Sequence, residues 1–368
     1  IPAIIMAVGL LSSCSGPKDG EYTFRLLTTN DVHGRYFDSL YVNDRTNNSL
    51  LNVSWYADSL RKAEGSENII LVDAGDCLQG DNAAYYYNYV DTQSPHLFAR
   101  MVDHIGYDAV VVGNHDIETG HPVYDRIDVQ MKTPFLAANA IRTDDGKPYF
   151  QEYVTLKRHG LRITILGFTN PNIRNWLSPL LWEGMEFKSL LPFVQETVDR
   201  VVAQEKSDVV IVAVHAGTGE GDGSQLESQG LDLLNSLEGV DFVVCSHDHR
   251  PVSIDRDGIC LINAGSHCRN LGFGTVTVKV EGGKVVDKKF SPGNDIWTNE
   301  LPRLGFSDEK VQKDYDEFIS DIFALFSEPS VDEVFINAKL GEESEYLNCE
   351  NPLLIRKIEE YSVDEIIE

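Results

Sequence analysis

Five times along the chain, a short run of β-branched and other apolar residues ends in a cluster of acid, amide and imidazole side chains. Residues 24–28 lead into Asn30-Asp31-Val32-His33-Gly34, and residues 69–72 into Asp73-Ala74-Gly75-Asp76. Residues 109–112 lead into Gly113-Asn114-His115-Asp116, residues 209–214 into His215-Ala216-Gly217, and residues 242–244 into Ser246-His247-Asp248-His249. Such runs, bounded by turn formers, are strand signals. Amphipathic stretches at helical spacing lie between them, over 51–62, 96–104, 191–204 and 231–237. Strands alternating with helices specify an α/β layered fold with a mainly parallel arrangement. Two further segments read as antiparallel hairpins: 153–166, turning at His159-Gly160, and 275–289, turning at Gly282-Gly283. The expected architecture is therefore two packed sheets flanked by helices.

All five polar clusters fall just past the C-terminal end of an expected strand. In α/β sheets that edge is where ligands bind, because the strands finish at a common rim. The side chains pooled there are Asp31, His33, Asp76, Asn114, His115, His215, His247 and His249. Carboxylate, imidazole and amide oxygen form a borderline-hard donor set suited to Zn, Mn, Fe or Co. The donors are too many for one ion and fit two divalent metal ions. Other residues near the motifs read as structural: Asp73 and Asp116 beside the site, and His104 and His121 at the surface or at helix ends. Tyr85-Tyr86-Tyr87 reads as a helix face on the core, and 217–223 as a Gly-rich rim. For His267, a lining role and a structural one are left equal.

The charge balance narrows the partners. With 31 Lys+Arg against 58 Asp+Glu, the formal net charge of −27 disfavours a nucleic-acid polymer or an anionic lipid surface as partner. It leaves open a small phosphorylated substrate held by something locally positive. A hydrophobic content of 42% over 368 residues is globular and sufficient for a sizeable core. Residues 1–11 are short, apolar and suited to an export signal, and Leu11-Ser12-Ser13-Cys14 resembles a lipobox whose Cys14 would carry lipid. That places the protein in a bacterial cell envelope, as a periplasmic or surface lipoprotein. None of the six Cys residues forms a Cys-x-x-Cys pair, and Cys77 and Cys245 read as buried small apolar residues. The chain divides into a signal and tether over 1–20, a catalytic domain over 21–295, and 296–368. This last stretch reads as an acidic helical extension or the start of an incomplete C-terminal domain.

In their order, Asn-Asp-Val-His-Gly, Ala-Gly-Asp, Gly-Asn-His-Asp, the strand-end His215 and His-Asp-His resemble the calcineurin-like dinuclear metallophosphoesterases. Gly106-Tyr107-Asp108, Ala138-Asn139-Ala140 and Asn263-Ala264-Gly265-Ser266-His267 are similar to the 5′-nucleotidase and 2′,3′-cyclic nucleotide phosphodiesterase group. The resemblance covers roughly residues 23–289 and implies a four-layer α/β/β/α sandwich. It also implies one metal on Asp31, His33, Asp76 and His249, and a second on Asp76, Asn114, His215 and His247, with Asp76 shared. His115 matches the family's catalytic His, and Glu118 stands where an acid, more often Asp, orients it. The sequence departs from the pattern at Ser246, where Gly is usual, and at His249, where nucleotidases often carry another residue. The implied reaction is attack of a metal-bridging hydroxide on phosphorus, with two cations about 3.5–4 Å apart. The expected activity is on nucleoside 5′-monophosphates. A 2′,3′-cyclic nucleotide phosphodiesterase and a nucleotide-sugar hydrolase are the alternatives, and an inactive binding lipoprotein is the rival of a different class. The family's nucleotidases carry base-stacking and phosphate-binding residues on a second domain, no full copy of which is recognisable after Pro292.

Overall fold

The computed structural model describes residues 16–37, 49–256, 258–292 and 296–297. The lipobox Cys14 and the helix read over 307–326 lie outside the described residues.

The strands in chain order are β1 Gly20–Thr29, β2 Ile69–Asp73, β3 Ala109–Val111, β4 Phe135–Leu136, β5 Ala140–Arg142, β6 Tyr153–Arg158, β7 Leu161–Phe168 and β8 Met185–Phe187. They continue with β9 Val209–Val214, β10 Phe242–Val244, β11 Pro251–Arg256, β12 Ile259–Ala264, β13 Asn270–Glu281, β14 Lys284–Pro292 and β15 Ile296–Trp297. One sheet runs β14-β13-β1-β2-β3-β4, with β15 on β13; the other runs β11-β12-β10-β9-β7-β6. β5 and β8 form a separate pair. In each large sheet the central strands are parallel; an antiparallel hairpin forms one edge of the first sheet, and hairpins form both edges of the second. Both expected hairpins, β6–β7 and β13–β14, occur where the sequence places them.

The continuous apolar runs follow from burial on both faces. On β1 to β3, Leu27, Leu71 and Val110 face the helices Leu50–Glu64, Leu97–Ile105 and His121–Gln130. Their neighbours Leu26, Ile70, Val72 and Val111 face the opposite sheet, meeting Ile163, Ile211, Phe242 and Ile262. On the far side, Val210, Val212 and Val214 pack against Val194, Val198 and Leu233 of the helices Leu190–Glu205 and Gly230–Ser236. The result is the four-layer sandwich, helices, sheet, sheet, helices, built from period-2 alternation on each strand.

Three sequence readings change in detail. β7 is not only half of a hairpin: it pairs in parallel with β9 in the middle of the second sheet. The helix His121–Gln130 is an addition to the expected elements; His121 is its first residue, and Pro122 occupies the favoured first turn. The tyrosine run forms a short helix, Asn82–Tyr85, followed by a π-helical turn, Tyr86–Val90. Tyr85 and Tyr87 are buried, as a core-facing role requires. Cys77, Cys245 and Cys260 are buried free thiols, and Cys268 is buried. Among the described residues, no helix is long and apolar enough to cross a membrane.

Candidate metal centre and active site

The five polar clusters meet at one rim of the sandwich, and the chain bends sharply to bring them there. Asp31, His33, Asp76, His247 and His249 all adopt left-handed backbone conformations, with φ of 49°, 47°, 60°, 68° and 57°. Non-glycine residues there cost about 1–2 kcal/mol each, so such conformations persist only where neighbours over-determine them. The neighbours are visible. The Asp31 and His33 amides donate to the carbonyls of Gly75 and Asp76 at 2.8 and 3.0 Å, binding the first two turns together. The His247 amide donates to Asp31 Oδ2 at 2.8 Å, fixing the last turn to the first.

Two donor groups result. Asp31, His33 and His249 form one and Asp76, His215 and His247 the other; within each, one ligand atom per residue lies within 4.8 Å of the others. In the first, His33 Nε2 and His249 Nε2 face each other at 3.1 Å. In the second, His215 Nε2 lies 3.1 Å from Asp76 Oδ2 and 3.0 Å from Asn114 Oδ1. Asn114 thus stands beside the second group. The imidazole tautomers are set from behind. His33 Nδ1 donates towards Gln79 O and Oε1 at 3.1 and 3.2 Å, and His215 Nδ1 donates to Ala74 O at 2.8 Å. Each turns Nε2 inward, the ring orientation of a metal-binding histidine.

The arrangement fits cations. Asp31 Oδ1 is buried without a hydrogen-bond partner, an expensive state for a carboxylate oxygen unless something positive faces it. In both groups imidazole nitrogens and carboxylate oxygens crowd together. That is the donor chemistry of Zn, Mn, Fe or Co.

Residues 24–251 match the family model for calcineurin-like phosphoesterases. The chain belongs to the calcineurin-like phosphoesterase family. It is 27% identical to protein UshA of Salmonella pullorum over 240 residues, 64% of this chain and 42% of that protein. It is 25% identical to the 5′-nucleotidase of Vibrio cholerae over 280 residues, 73% of this chain and 49% of that enzyme. The chain thus spans less than half the length of these relatives. The calcineurin-like phosphoesterase YfkN of Bacillus subtilis shares the fold, with a TM-score of 0.66 at 20% identity, covering 82% of this chain and all of that one.

Within this calcineurin-like site, His115 belongs to neither donor group. Its ring centroid lies 5.5 Å from that of His33, and its Nδ1 bonds Glu118 Oε2 at 2.5 Å. Burial pulls the His115 imidazole down, but the Glu118 bond and the charges of Asp76 and Glu118 prevail and lift it to about 9. Burial likewise opposes protonation of His215, and Asp76 overrides it, raising His215 to about 10. Desolvation lowers His33 and His247, and Asp31 raises His249. His267 is close without joining a group: its ring lies 5.1 Å from His33 and 5.8 Å from His249, and its amide donates to Asp31 O at 2.7 Å.

Supporting residues emerge that sequence reading misses or undervalues. The Asp116 carboxylate accepts four backbone N–H groups, from Asp76, Cys77, Leu78 and Gly113, at 2.7–3.0 Å. It therefore ties the Asp76 turn to the start of the Asn114–Glu118 helix. Ser246, the departure from glycine, uses its hydroxyl to reach Ala74 O and His215 Nδ1, both at 3.0 Å. Trp176 lies parallel on the His247 ring at 5.2 Å and 20°. Neither Trp176 nor Gln79 carries a local signal, since each is brought to the site only by tertiary packing.

Proposed function

We propose that the chain hydrolyses phosphate monoesters, nucleoside 5′-monophosphates above all, with the help of two divalent metal ions. The observation that carries this reading is the pair of donor groups, anchored on buried Asp31 and Asp76, lying beside the His115–Glu118 pair. Asp31, His33 and His249 would hold one ion. Asp76, Asn114, His215 and His247 would hold the other, with Asp76 shared; its charge already acts on His33. Once bound, the ions supply Lewis acidity towards a phosphoryl group and lower the pKa of water.

The chain's own residues supply the rest. Glu118 accepts from Nδ1 of His115, which leaves the proton on Nε2 directed away from Glu118. This proton goes to the departing alkoxide oxygen as the ester P–O bond breaks and water supplies the new P–O bond. Asp116 holds the Asp76 turn and the His115 helix in one frame, so the proton donor and the donor groups keep a fixed geometry.

A panel of AMP, 2′,3′-cyclic AMP, UDP-glucose and an aryl phosphate, with metal analysis alongside, tests the reading. AMP should be the preferred substrate with added Mn²⁺ or Zn²⁺. Asp76→Asn should remove turnover, and His115→Asn should cut kcat by about 10²–10⁴ with metal content retained. Full activity in either variant contradicts these roles, and preference for the cyclic or sugar nucleotide would replace the substrate. We further propose envelope localisation through lipid on Cys14, within a signal and tether over 1–20 that precedes a catalytic unit over 21–295. Release of Cys14→Ser from membranes is the expected result.

A further inference from the structure

A cavity of about 270 Å³ opens beside the donor groups, and none of the metal-binding roles uses it. Its walls include Gln79, Asn88, Tyr89, His115, Glu118 and Thr119. It begins at the site itself, because Gln79 Oε1 touches His33 Nδ1 and because His115 with Glu118 forms one wall. One wall is aromatic. The π-helical turn Tyr86–Val90 buries Tyr87 and leaves Tyr89 44% exposed, its ring 5.0 Å from that of Tyr85. Such turns concentrate at functional sites because they re-aim side chains that a regular helix would turn elsewhere. Asn88 makes this wall rigid, its amide donating to Leu78 O at 2.7 Å and its oxygen lying 2.9 Å from His96 Nε2.

We propose that this cavity is the subsite for the leaving group of the phosphoester, and that it takes a neutral nucleoside with its base stacked on Tyr89. The inference rests on the hydrolase reading above. Three features select this occupant. The Glu118 carboxylate on the wall repels a leaving group that carries its own phosphate and accepts from sugar hydroxyls. Among the described residues, Gln79 Nε2 has no acceptor, so it can donate to a ligand oxygen or ring nitrogen. The volume lies just below the ~300 Å³ at which pockets for drug-sized molecules begin, a fit for one nucleoside.

The test compares wild type, Tyr89→Ala and Tyr89→Phe on AMP and on glycerol 2-phosphate, which has no ring. A base–aromatic stack supports about a tenfold change in affinity. Tyr89→Ala should raise KM for AMP about tenfold with kcat kept, leave glycerol 2-phosphate unchanged, and be rescued by Tyr89→Phe. Parallel loss on both substrates, or no change on either, overturns the proposal. Thr119→Leu, which narrows the cavity at another of its lining residues, should discriminate against AMP in the same sense. Adenosine binding, followed by calorimetry on the metal-loaded protein, separates this inference from the hydrolase reading. AMP hydrolysis without Tyr89-dependent adenosine binding refutes the subsite alone. Tyr89-dependent adenosine binding without hydrolysis refutes the hydrolase reading alone.

Discussion

Asp116→Asn isolates what holds the centre together. Asp116 is wholly buried, and burial, with the charge of Asp76 beside it, pushes its carboxyl up to about 6. Oδ1 accepts from the amides of Cys77 and Leu78, each at 2.9 Å; Oδ2 accepts from Gly113 at 2.7 Å and Asp76 at 3.0 Å. Asparagine preserves the shape but supplies one oxygen. Whichever pair that oxygen serves, the side-chain NH₂ confronts two backbone donors. Hydrogen bonds to a charged group contribute about 1.5–3 kcal/mol each, so losing two costs about 3–6 kcal/mol before relaxation. That is a large share of the ~5–15 kcal/mol that stabilises a typical domain. Urea denaturation at pH 7.5 should show a midpoint lowered by the equivalent of about 3 kcal/mol with an unchanged m-value. Metal analysis should show fewer than two ions per chain, because the Asp76 turn and the Asn114–Glu118 helix are no longer tied. A variant within about 0.5 kcal/mol of wild type that still carries its full metal complement would refute the claim that this carboxylate organises the site.

Other perturbations probe different parts of the same frame. A Cβ at Gly113 would stand 2.1 Å from Asp76 Oδ1 and 2.3 Å from Asp76 N; Gly113→Ala should therefore weaken metal binding on the order of a hundredfold, and unchanged metal content would show that the contact yields. Trp176→Ala should weaken the ion held near His247 about tenfold in a chelator competition, with Trp176→Phe restoring it; equal affinities would mean that the stacked indole only covers the ring. Burial, then the charge of Arg126, holds the fully buried His96 imidazole down at about 3. The unfolded chain takes up this proton near pH 6.5, so the resulting loss of stability is absent above about 6.5, grows as pH falls and levels off near 3. It amounts to about 2 kcal/mol at pH 5. His96→Gln should flatten the urea-midpoint curve between pH 6.5 and 3, and a slope equal to that of wild type would show that His96 does not titrate as described.

The strand ends are legible in the sequence because strands buried on both faces cannot alternate with polar residues, so their runs stop abruptly where the rim begins. Asp31, Asp76, Asn114, His215 and His247 each lie within a few residues of such a stop, and the sequence displays them without help from tertiary structure. The role of Asp116 is not legible, although its position is. An acid next to Asn114-His115 looks like an ordinary turn residue until the Asp76 loop, forty positions earlier, is seen to point three of its amides at it. Trp176 and Gln79 are invisible for the same reason: stacking on His247 or bonding to His33 is a property of how loops pack. The parallel pairing of β7 with β9 is hidden because β7 also makes a short-range hairpin with β6, and the local signal masks the distant one.

The backbone of the donor residues explains why the frame needs so many ties. Left-handed conformations at Asp31, His33, Asp76, His247 and His249 together cost on the order of 5–10 kcal/mol, and glycine, which would remove that cost, brings no ligand atom. The chain meets the conflict by placing glycines beside the donors, at Gly34, Gly75 and Gly113, where a Cβ would collide with the neighbouring turn. The donors themselves are then locked by main-chain bonds between turns: Asp31 to Gly75, His33 to Asp76, Gly34 to Cys77 and His267 to Asp31. These bonds involve no metal ligand atom. The rim is therefore shaped by the main-chain bonds of the fold. A site assembled in this way orders few side chains when it binds, and so loses little affinity to conformational entropy.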